Sequence, residues 1–254
     1  MIPLLVAHNT FREATRDRVV AGIVVAGLVL LALTQVASPL ALGEGGRLTV
    51  DLGLTGISVL GLLVVLLTGT SLVAKEVERR TIYNLLSRPI TRPAYLVGKW
   101  AGLSAALWAV AIALGLALCG LLAARGMAGH APAVLEGVYL AGLELTVVTA
   151  LAVMFSALST PVLSALYTLG FYLVGQWSYD LRQLAERFPR ELGAPIGIIA
   201  NLVPNLPLFN MRTLAAAGHP TTPLHLVLAT GYAAIYVACV LCLAAAAFES
   251  KDFK

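Results

Sequence analysis

Six long apolar runs decide what this chain can become. They lie at 19–41, 52–74, 100–124, 134–158, 162–179 and 223–248. A helix needs about 20 apolar residues to cross the hydrocarbon core of a bilayer. Periodicity cannot separate strand from helix in a uniformly apolar run, but length can, because a membrane strand takes only about 10 residues. Every backbone N–H and C=O must also be satisfied within lipid, so helices follow. Composition agrees: 59% of the 254 residues are apolar and 12% charged, with a mean hydropathy of +0.89. A soluble domain carries about a quarter charged residues. This excludes a water-soluble enzyme, a nucleic-acid-binding module and a disordered chain. The reading is an all-α integral membrane protein, one transmembrane domain over 1–254 with six transmembrane helices.

The first run is too long for the apolar region of a signal peptide, and a polar-apolar segment precedes it. Lys and Arg then set the orientation. With the N-terminus inside, eleven of the seventeen fall on the cytoplasmic side: in 1–18, in 75–99 and in the tail at Lys251 and Lys254. Six fall outside, at Arg47, Arg125, Arg182, Arg187, Arg190 and Arg212. An even number of spans places both termini in the cytoplasm. The net charge of +4 thus reflects cytoplasmic loops rather than nucleic acid. Cys119, Cys239 and Cys242 all lie inside apolar runs, so no disulfide framework is legible.

Two flanking segments stand apart. In residues 1–18, Leu4, Ala7, Phe11 and Ala14 recur at three- and four-residue steps, while His8, Arg12, Glu13, Arg16 and Asp17 fill the other side. That spacing predicts an amphipathic helix in the inner interface. Residues 75–99 leave the membrane at Glu76 and Glu78. They present an apolar set at Ile82, Leu85 and Leu86, and meet a helix breaker at Pro89. Arg79, Arg88 and Arg92 make the segment basic. A positive-inside loop explains the charges but not the Leu85-Leu86 pair or the Pro89–Pro93 spacing, which point to a rigid element that docks a partner.

The run Glu78-Arg79-Arg80-Thr81-Ile82, Leu85-Leu86-Ser87, Pro89-Ile90 and Arg92, closing on Gly98-Lys99, resembles the hallmark of type-2 ABC transporter permeases. Within them it is closest to the branch of multi-copper-enzyme maturation permeases, which includes the nitrous oxide reductase maturation permease. The resemblance implies that Glu76, Glu78, Arg79, Leu85, Leu86, Arg88, Pro89 and Arg92 form a cytoplasmic coupling helix seated in a groove of an ATPase. It also implies that 1–18 is an elbow helix. The outer segment 180–222 would then hold a re-entrant hairpin before the last span, at 195–214, where the Pro204-Asn205 and Phe209-Asn210 steps are similar. The chain has no G-x-x-x-x-G-K-[ST] phosphate loop, so ATP and Mg belong on a separate ATPase and this chain needs no cofactor. The implied assembly has two ATPase copies and a second copy of this chain. The implied location is a bacterial or archaeal cytoplasmic (inner) membrane.

Polar residues inside the runs are the remaining candidates. Ser164, Thr168, Tyr172 and Gln176 recur every fourth position of the fifth run. They either hydrogen-bond neighbouring helices or wall a substrate pathway at the dimer seam, where the resemblance places spans two and five. Glu144 sits near the middle of the fourth run. A charge there costs about 2.5–3.5 kcal/mol on insertion scales, so it should face the bundle. It either bonds a neighbouring helix or lines the same pathway. Cys239 and Cys242 share a helix face, but buried cysteine is usually a small hydrophobe, and no metal site is assigned. Ala101, Ala105, Ala109, Ala113 and Ala117 form a ridge that packing alone explains. The function expected is the membrane half of an ATP-driven exporter. The competing readings are a non-transport membrane subunit driven by an ATPase, and an ion-coupled carrier or enzyme using Glu144.

Overall fold

The computed structural model describes residues 2–38, 44–72 and 91–249. All regular structure among them is helical. The helices are α1 (Ile2–Arg16), α2 (Arg18–Ala37), α3 (Gly45–Leu67), α4 (Arg92–Ala124), α5 (Ala131–Leu158), α6 (Pro161–Gln176), α7 (Ser178–Arg187), α8 (Arg190–Leu202), α9 (Arg212–Ala216) and α10 (Pro223–Glu249). Local chemistry starts several of them. Asp17 caps α2, its carboxylate accepting the Val19 N–H at 2.9 Å. Proline stands in the first turn of α4, α5, α6 and α10, where its missing N–H leaves no bond unmade.

Among the described residues five helices are long and apolar enough to cross a membrane: Arg18–Val36, Gly45–Ser71, Pro93–Ala124, Ala128–Leu158 and Pro223–Phe248. A sixth candidate is the pair Gly193–Leu202 and Leu206–Ala216, bent by 46° at its break. The chain is an all-α integral membrane protein. The run at 162–179 departs from expectation. It forms α6, which has 16 residues and rises about 24 Å, short of the ~30 Å hydrocarbon core. The chain breaks at Trp177 and continues as the polar α7. Near the break α6 packs closely on another part of the chain: a side chain at Gly175 would meet the Pro204 carbonyl oxygen at 2.9 Å.

The most buried span is α5, which packs against α3, α4, α6 and α10. Glycine allows the close approaches. Gly142 of α5 receives the Trp108 ring, and Gly137 receives Leu54. The ends of the bundle are equally well defined. At the distal end Arg125 donates to Ser38 at 2.6 Å, and Glu136 accepts the Thr221 N–H at 2.5 Å. The proximal end holds α1, the close of α3 and the start of α4.

There α1 lies on the first turns of α4. Val6 and the Pro3 carbonyl crowd Gly98, while Thr10 and the backbone of Ala7 and Phe11 crowd Gly102. Lys99 is 5% exposed, with its ammonium 4.0 Å from Glu13 and 5.7 Å from the Tyr95 ring centre. Along α1, Ala7 and Phe11 are half-buried. Thr10 and Ala14 are buried, but Leu4 is 79% exposed. The glycine groove of α4 selects the Pro3–Val6–Thr10 edge, which the apolar spacing of α1 alone does not single out.

Of the expected coupling residues, Glu76, Glu78, Arg79, Leu85, Leu86, Arg88 and Pro89 lie outside the described residues, as do Lys251 and Lys254 of the tail. Arg92 is the first residue of α4.

Candidate functional site

The polar residues of α6 divide into two pairs. Ser164 donates to the Phe155 carbonyl at 2.8 Å, and Thr168 to the Ser164 carbonyl at 2.7 Å. Both are fully buried. Each hydroxyl is satisfied by backbone, so this pair serves helix packing. Tyr172 and Gln176, nearer the break, face Glu144 instead. Gln176 Nε2 donates to Glu144 Oε1 at 2.6 Å. Ser58 Oγ of α3 donates to Oε2 at 3.2 Å. Tyr172 and Arg212 complete the electrostatic surroundings of the carboxylate. Glu144 is 2% exposed, and this set of donors plus one cation is what allows a carboxylate at that depth.

Within the chain the stripe turns inward onto α5. The side of α6 left open is apolar: Val162, Leu163, Leu166 and Leu173 are exposed. The physical reason is that hydroxyl and amide groups find carbonyl and carboxylate partners on α5, while the apolar side loses nothing in lipid.

Arg212, Thr55 and Ser58 were not singled out by sequence. Arg212 counted only as an outer-loop charge, yet its guanidinium donates to Thr55 of α3 at 3.3 Å. It is brought there by a hairpin. Ser178 bonds Asn205 at 3.1 Å, Arg182 bonds the Ala200 carbonyl at 3.4 Å, and Gly193 crowds the Ala185 carbonyl. These pairs step in opposite directions along the chain, so α7 and α8 run antiparallel. The open end of this hairpin, the break at Leu202–Leu206, lies beside the end of α6. Its freed backbone groups are taken up by α10: the Asn205 N–H donates to Tyr232 Oη at 2.8 Å, and Tyr236 Oη donates to the Leu202 carbonyl at 3.2 Å. Non-helical backbone is tolerated within a membrane only when satisfied in this way. From the break, bent by 46°, the chain continues through Arg212 and α9 toward the distal end. His225 bonds the Leu208 carbonyl at 2.9 Å and is thus structural.

Cys239 and Cys242 are exposed on α10. Among the described residues no three His, Cys, Asp or Glu side chains come together. The Ala105, Ala109 and Ala113 ridge lies on the open side of α4. What the arrangement offers chemically is one buried carboxylate with an arginine near it, at the meeting point of α3, α5, α6 and the hairpin.

The family model described as "ABC-2 family transporter protein" matches residues 4–253. No curated protein matches the chain.

Proposed function

Because the chain belongs to the ABC-2 family of transporter proteins, we propose that this membrane permease works as an exporter subunit, paired with a second copy and driven by a separate ATPase that docks on 76–98. Membership carries the coarser statement that the chain is a permease component of an ABC transporter. The observation that carries the finer one is the proximal end of the bundle. There α1 is locked onto α4 through Gly98 and Gly102, at the point where the segment from α3 enters α4. An element docked on that segment would push against α1, α3 and α4 together rather than against a free loop. The orientation follows the Lys and Arg asymmetry, with the proximal end and both termini in the cytoplasm. ATP and Mg would be bound by two copies of the ATPase. Kinship with the multi-copper-enzyme maturation branch rests on the residues of 78–99. Glu144 and Gln176 would stand at the inner end of the pathway, with Ser164, Thr168 and Tyr172 holding α6 in register.

The test is Leu85→Ala combined with Leu86→Ala. Truncating a well-seated interface leucine costs about 1–2 kcal/mol. The double variant should insert and pair normally, lose most ATPase co-purification and uncouple hydrolysis. Glu78, Arg88 and Arg92 should set orientation more than affinity. Full retention of ATPase binding would reduce 76–98 to a positive-inside loop and withdraw the docking reading.

A further inference from the structure

At the distal end a cavity of about 410 Å³ opens between Leu48 and Asp51 of α3 and Thr213 and Ala216 of α9, with the Glu44–Arg47 ion pair among its lining residues. Its polar wall continues inward. Asp51, Thr55 and Ser58 follow one another on α3 at steps of four and three residues, and so share a face. Thr55 accepts from Arg212, the residue before Thr213 of the cavity wall. Ser58 donates to Glu144. From Asp51 to Ser58 the helix rises about 10 Å, and no step between these polar groups exceeds about 6 Å. Beyond Ser58 the polarity stops: residues 59–67 of α3 are Val, Leu, Gly, Leu, Leu, Val, Val, Leu and Leu. On α3 the polar face therefore ends at Ser58, whose partner is Glu144.

We propose that this column is an aqueous half-channel through which Glu144 binds a proton from the distal side of the membrane. That side is extracytoplasmic only on the proposed orientation above. The ionisable groups facing Glu144 are Tyr172 from α6 and Arg212 from the hairpin, while α3 contributes Ser58. Thr146, two residues on and therefore on the far side of α5, takes the Trp108 N–H of α4. A hydronium arriving down the column gives its proton to a Glu144 oxygen. One O–H bond breaks on hydronium, one forms on the carboxyl, and water returns to the cavity. Arg212 then faces a neutral group, so the hold on the hairpin depends on the proton concentration on the distal side.

The experiment uses the full chain in native membrane vesicles, with Cys119, Cys239 and Cys242 changed to Ala. Single cysteines are placed as Thr55→Cys, Ser58→Cys and, on the open face of the same helix, Val59→Cys. A membrane-impermeant thiosulfonate added to the distal face should modify the first two severalfold faster than the third. Separately, a water-soluble carbodiimide, which reacts with protonated carboxyls, should label Glu144 more as the pH on that face is lowered. Glu144→Gln should abolish that label. Equal, slow modification of all three cysteines would overturn the half-channel, and so would carbodiimide labelling indifferent to distal pH. Reaction of Thr55→Cys and Ser58→Cys from the opposite face alone would overturn the assigned orientation, and the side named here with it. The ATPase co-purification test succeeds or fails independently of all three results.

Discussion

Arg212→Met should destabilise the bundle by about 2–3 kcal/mol, and Glu144→Gln in the same chain should recover most of the loss. Removing one partner of a close buried ion pair costs about 3–5 kcal/mol, because the other charge stays behind. The present cost is placed lower because Arg212 acts on Glu144 without a salt-bridge contact, and for two further reasons. Arg212 is only partly buried, and Glu144 keeps its hydrogen bonds from Gln176 and Ser58. Gln at 144 retains a hydrogen-bonding side chain and removes the charge, so the double variant has no buried anion left to compensate. The check is a double-mutant cycle on unfolding in detergent, where the coupling should exceed 1 kcal/mol, on the order expected for residues in one network. A proton on Glu144 relieves the same penalty, so the Arg212→Met loss should shrink as pH falls. Additive single effects, or no change with pH, would show that Arg212 holds the hairpin through Thr55 alone.

The second large effect is expected at Gly102. A β-carbon there would run into the Ala7 carbonyl, with Thr10 Cβ at 2.7 Å and the Phe11 nitrogen at 3.1 Å. Backbone cannot retreat as a side chain can, so Gly102→Leu should lift α1 from α4. Overpacking costs about 1–3 kcal/mol, and a backbone clash belongs at the top of that range. Gly120→Leu is the matched control, since nothing lies within 4 Å of a β-carbon at that position on the same helix. It should stay within about 0.5 kcal/mol of the parent. Tryptic cleavage at Arg12 and Arg16 in vesicles reads the outcome: faster for Gly102→Leu, unchanged for Gly120→Leu. Equal cleavage in both would mean that α1 is held by lipid rather than by α4. If 76–98 is the ATPase dock, the Gly102 variant should also weaken coupling while leaving the docking leucines untouched.

The spans α2, α3, α4, α5 and α10 were legible in the sequence because length and hydropathy are local properties that a bilayer reads directly. The helix starts were less so. The apolar run at 52 gave no hint that α3 begins at Gly45, where Thr49 bonds the Gly45 carbonyl at 2.8 Å and Arg47 pairs with Glu44. Glu144 could be singled out from the sequence because a carboxylate inside an apolar run has few physical excuses. Its partners could not. Arg212 lies far along the chain and reaches the same depth only because α7 and α8 fold back on each other and α6 stops at Gln176. Periodicity likewise showed that Ser164, Thr168, Tyr172 and Gln176 share a face, but a shared face names no neighbour. The Phe155 carbonyl and the Glu144 carboxylate claimed it, and the apolar side of α6 was left open. By itself the sequence determined which segments enter the membrane, because transfer into lipid depends on each segment's own side chains. Only the tertiary structure decided where the chain breaks beside α6 and which charges meet there, because satisfying a polar group in lipid requires a partner at the same depth, and depth is a property of the packed bundle.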